Sequence, residues 1–95
     1  MKMKLTPHEC LKILESMIEH PYTITPDENQ VYALDIATMA MVRYRCNPRE
    51  IAIIRYHVLN PLAIMCRDAY TMRALREAAA AVKRLHIEEW KNGRQ

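Results

Sequence analysis

Apolar residues recur along this chain at helical spacing. Leu11, Leu14 and Ile18 form one stripe, widened by Ile13 and Met17, while Lys12, Glu15, Ser16 and Glu19 fall on the other side. This predicts a first helix over about residues 7–20, ended by His20-Pro21. Residues 21–24 then leave a connection short enough to favour an antiparallel helical pair. A second helix is predicted over about residues 26–45. Val31, Leu34 and Thr38/Met41 make its seam, and Ile36, Met39 and Ala40 widen it. Ala33, Ala37 and Ala40 leave room for a close neighbour, so this helix is expected at the centre. A long last helix follows over about residues 70–92, traced by Leu75, Ala78/Ala79, Val82, Leu85 and Glu89 or Trp90. Arg73–Glu77 and Arg84–Glu88 stand at ion-pair spacing on it, Asp68 is a candidate cap, and Asn92-Gly93 is a stop signal.

Start signals sharpen this pattern. Thr6-Pro7-His8-Glu9 supplies a cap, a proline at the first helical position and an acid two residues later, which is a capping box. Thr25-Pro26-Asp27-Glu28 repeats the layout, Asn47-Pro48-Arg49-Glu50 repeats it with Asn as cap, and Asn60-Pro61 offers a fourth start without the acid. Periodicity does not decide residues 50–68. Ile51, Ile54, Val58 and Leu59 share a helical stripe that leaves out Ile53 and Tyr56, yet Ala52, Ile54, Tyr56 and Val58 also alternate as a strand face. The start signal at Asn47 and the absence of turn glycines favour helix. The expected fold is therefore all-α, a bundle of four or five helices opening with an antiparallel helical hairpin. An α+β form with a small hairpin at about 50–68 is the alternative.

Composition narrows the class. Ninety-five residues allow one domain, read as 1–95, and 51% hydrophobic with 26% charged residues is ordinary for a globular chain. The N-terminal lysines are followed by no apolar signal core, and the longest nearly uncharged run, residues 31–42 broken by Asp35, is far short of the ~20 residues of a membrane span. The expected location is the cytoplasm. Cys10, Cys46 and Cys66, an odd set without close spacing, read as small buried hydrophobes.

Charge is uneven. Residues 1–42 carry three lysines against six acids; residues 43–95 carry eleven basic residues, including all nine arginines, against five acids. Such asymmetry suits an anionic partner for the basic half, or attraction between the two halves within or between chains.

The segments Glu9-Cys10-Leu11-Lys12-Ile13-Leu14-Glu15, Thr25-Pro26-Asp27-Glu28 and Ala33-Leu34-Asp35-Ile36-Ala37 resemble the opening of short helical phage and mobile-element proteins. The resemblance covers roughly the first 40 residues. It implies a helical N-terminal half and, as for some of those proteins, action by binding and blocking a host enzyme or immune complex. It carries over no catalytic residue.

Enzyme signatures are missing. With Gly93 the single glycine, no glycine-rich phosphate loop can form, and neither HExxH nor GxSxG occurs. A cysteine paired with His8, His57 or His86 lacks any sign of a third group, and His8 with Cys10 lacks the tight spacing of zinc ligands. The chain is read as non-enzymatic, without metal or cofactor. The candidate partner-binding residues are Arg43, Tyr44, Arg45, Arg49, Arg55, Tyr56 and Arg67, because arginine grips carboxylate or phosphate and tyrosine anchors interfaces or stacks on bases. The same residues also suit a plain solvated rim. The reading is a protein-interaction module that occludes a host protein through an acidic surface. A small nucleic-acid-binding protein using residues 43–70 and a structural homodimer are the alternatives.

Overall fold

The computed structural model describes residues 5–20, 27–61 and 68–93. They form four helices: α1 (Pro7–Glu19), α2 (Glu28–Arg43), α3 (Pro48–Leu59) and α4 (Ala69–Gly93). No strand occurs among the described residues. The ambiguous segment is thus helical as far as Leu59, which removes a hairpin there; residues 62–67 lie outside the described set.

The helix starts follow the cap chemistry, with one shift. Thr6 caps α1: its hydroxyl accepts from Glu9 N–H at 3.1 Å, and Glu9 Oε1 accepts from Thr6 N–H at 2.9 Å. At α2 the expected cap was Thr25, but Asp27 performs that role. Its carboxylate accepts from Gln30 N–H at 2.8 Å, and the Gln30 side chain accepts from Asp27 N–H at 2.9 Å. Asp is as good a cap as Thr, and the later register completes its box with Gln30 in place of the Glu28 that the earlier one would use. Asn47 caps α3 through Arg49 N–H at 2.8 Å. Asn60 is the C-cap of α3, its N–H donating to the Tyr56 carbonyl; the helix expected to start there falls on residues 62–67, outside the described set. Asp68 takes the start of α4, accepting from the Thr71 N–H at 2.7 Å and the Thr71 hydroxyl at 3.0 Å.

Helix α2 stops two residues before the expected Arg45. Cys46 N–H donates to the Met41 carbonyl at 2.9 Å and Arg45 N–H to the Val42 carbonyl at 3.2 Å. This is a Schellman closure with Arg45 in its left-handed position, φ 55°. Glycine is the usual residue there. Pro48 then fixes the entry to α3.

Helices α2 and α4 pack on each other, and α1 and α3 each pack on both. Among the described residues α1 and α3 do not pack on one another. The core is built from Cys10, Leu14 and Met17 of α1, Leu34 and Met41 of α2, Ile54 of α3 and Leu75 and Val82 of α4. Rows of buried alanine at Ala33, Ala37 and Ala40 and at Ala74, Ala78 and Ala81 thin the two central helices, so neighbours come close. The Cys10 thiol donates to the Ala33 carbonyl at 3.2 Å, and Thr38 Oγ1 donates to the Leu34 carbonyl at 2.9 Å, so both buried polar groups are satisfied.

Three stripe assignments change. Met39 is 66% exposed and Leu59 75% exposed, and Trp90 also faces outward. On α3 the inward face is Glu50, Ile54 and His57, with Ile51, Ile53 and Val58 only partly covered. A helix flanking two others buries a narrow stripe, and here two of its three positions are polar. No helix among the described residues is long and apolar enough to cross a membrane.

Candidate functional site

The corner between α2 and α3 gathers the first three candidate residues. Arg43 ends α2, Tyr44 is its C-cap and Arg45 occupies the left-handed turn position. Arg43 and Arg45 are exposed, while Tyr44 is half-buried against the later part of α4. There the Tyr44 hydroxyl donates to Glu88, and Arg43 pairs with the same carboxylate at 3.5 Å. The Arg84 guanidinium lies 4.5 Å from the centre of the Tyr44 ring, and that of Arg43 5.7 Å from it. Both distances are within cation–π range. Partial burial first, and the Glu88 carboxylate after it, push the Tyr44 hydroxyl above the ordinary phenol value, so it stays a donor at neutral pH.

The sequence assigned Glu88 to Arg84, four residues back. The structure sends Glu88 to Arg43 and Tyr44, and turns Arg84 onto the aromatic ring. Arg73 and Glu77 form no ion pair either. Arg84 and Glu88 therefore join the site, and sequence reasoning missed them. Their signal was present as charged residues on the last helix, but the partner contributed by α2 was invisible.

The other candidates spread out. Arg49 lies in the first turn of α3, and Arg55 and Tyr56 sit farther along its exposed side. Arg67 lies outside the described residues.

The remaining reactive side chains are quiet. Burial pushes the Cys10 thiol up to about 12, and burial with the nearby Glu77 raises Cys46. Both are thiols rather than thiolates at neutral pH, so neither is an activated nucleophile. The His8 and His86 rings meet at 5.2 Å, across α1 and α4. Among the described residues no three metal-ligating side chains come together.

What the corner offers is a grip: exposed Arg43 and Arg45, and Arg84 laid over a phenol ring, with one carboxylate fastening Arg43 and Tyr44. Such a group recognises carboxylates by paired hydrogen bonds. Comparisons with family models, curated proteins and solved structures find no match to the chain.

Proposed function

We propose that this chain is a protein-binding module, and that the α2–α3 corner docks on an acidic or carboxylate-lined surface of its partner and occludes it. The observation that carries this reading is Arg45. A residue with a Cβ in the left-handed conformation costs about 1–2 kcal/mol relative to glycine, and strain of this kind gathers at functional positions. The Schellman closure uses only the Arg45 backbone, so the fold gives no reason for an arginine there. Arg45 is exposed and follows Arg43 and Tyr44 in the chain, and the guanidinium groups of Arg43 and Arg84 lie over the Tyr44 ring. Glu88 within the cluster favours a protein over nucleic acid: it repels a run of phosphates but gives a protein partner a fixed pattern of charge to match. The resemblance to short phage proteins supports a host protein as that partner.

Arg45→Gly separates fold from function. It removes the side chain and relieves the backbone. The variant should melt at or above the wild-type temperature, yet capture at least tenfold less partner from nuclease-treated host lysate. Equal capture by both chains overturns the assignment. Capture that disappears with nuclease transfers the corner to nucleic acid, whose binding should fall steeply with salt.

A further inference from the structure

The first turn of α3 and the N-terminal half of α4 border an open cleft of about 620 Å³, lined by Asn47, Glu50, Ala69, Arg73, Arg76 and Glu77. That volume lies within the range of small-molecule sites. Glu50 is unusual in it. It occupies the third position of α3, where Glu9 and Gln30 of the two preceding helices bond back to their caps. Glu50 closes no such box. It is only 6% exposed, and its Oε2 has no hydrogen-bond partner. A buried carboxylate oxygen without a donor is costly to keep, and folded proteins rarely leave one so. Arg73 and Arg76 line the same cleft, and neither enters an ion pair among the described residues.

We propose that this cleft binds a small zwitterion of the α-amino-acid type, its ammonium group donating to Glu50 and its carboxylate held by Arg73 and Arg76. The balanced lining disfavours ligands of a single charge. A lone anion meets the repulsion of Glu50 and Glu77, and a lone cation that of the two arginines. A divalent metal ion finds no set of three ligating side chains among the described residues. A ligand with both charges a few ångströms apart gives the Glu50 carboxylate a donor and the two guanidinium groups an acceptor together. The proposal is independent of the α2–α3 corner.

Amide spectra of the ¹⁵N-labelled full chain test it. Each common L-amino acid is titrated singly, with methylammonium chloride and sodium acetate as probes carrying one charge each. At least one amino acid should shift the amides of residues 47–51 and 69–77 saturably, with a Kd on the order of 1 mM, and neither single-charge probe should match it. Arg76→Ala and Arg73→Ala, both at exposed positions, should each weaken that response at least fivefold in a chain whose spectrum shows it folded; Glu50→Gln should do the same. No response to any amino acid overturns the proposal. So does acetate or methylammonium acting as strongly, or a response unchanged in both arginine variants.

Discussion

The hydroxyl of Tyr44 donates to the carboxylate of Glu88, joining the cap of α2 to the later part of α4 across 44 residues of sequence. The Arg43–Glu88 pair beside it is largely exposed, and exposed pairs contribute little. Tyr44→Phe keeps the ring under Arg84 but removes the donor. It should lower unfolding stability measurably in urea titration. Arg43→Ala should cost less than about half that. The opposite order would show that charge, and not the hydroxyl, fastens the corner.

Asp27 rather than Thr25 begins α2. Asp27→Ala should therefore cost about 1 kcal/mol, the ordinary value of an N-cap. Asp35→Ala, on the exposed side of the same helix, should stay within about 0.5 kcal/mol of wild type. Equal losses in the two would remove Asp27 from the cap.

How much of this was legible in the sequence differs by residue. The Thr6 and Asn47 starts were plain, because local spacing alone defines a cap. The start of α2 was ambiguous because Thr25 and Asp27 both offer cap chemistry within three residues, each with a partner for a box, Glu28 for the one and Gln30 for the other. The end of α2 could not be read: a left-handed closure normally announces itself with glycine, and Arg45 stands there instead. The inward face of α3 was misread for a related reason. Apolar counting prefers Leu59 to Glu50 or His57, whereas the geometry of the helix pair buries the two polar side chains and leaves Leu59 in water. Of the candidate site, Arg43, Tyr44 and Arg45 were found from composition. Arg84 and Glu88 depended on a contact between helices that spacing along one helix does not encode.

His57 makes the fold sensitive to mild acid. Burial holds its imidazole below the ordinary value of 6.5, while the Asp68 charge pulls the other way. The unfolded chain then takes up its proton first, so this contribution to stability is present above about pH 6.5 and declines as pH falls toward the folded value. His57 Nδ1 also lacks a hydrogen-bond partner, so an apolar replacement gives up no bond there. Between pH 7.5 and 5.5 the urea midpoint of wild type should fall more than that of His57→Leu. His8, His20 and His86 are common to both chains and cancel. Identical slopes would clear His57 of the effect.

The thiol of Cys10 is fully buried and pushed up to about 12. In the native chain at pH 8 it should resist iodoacetamide and react only as the protein unfolds, with peptide mass mapping to separate it from Cys46 and Cys66. Rapid native labelling of Cys10 would place α1 in frequent local opening.

The separation of α1 from α3 has an energetic consequence. Each rests on the α2–α4 pair and neither on the other, so a defect in one should be felt by the other only through the two shared helices. Leu14 and Ile54 are both fully buried, one in each flank. Leu14→Ala and Ile54→Ala should each cost about 2–5 kcal/mol. The smaller truncations Leu14→Val and Ile54→Val are the pair to combine, because their joint loss should leave a folded chain. That loss should equal the sum of the single losses to within about 0.5 kcal/mol. Thermodynamically, the two flanks are independent tenants of one spine: losses on each add without coupling, and both draw on the one stability of the chain.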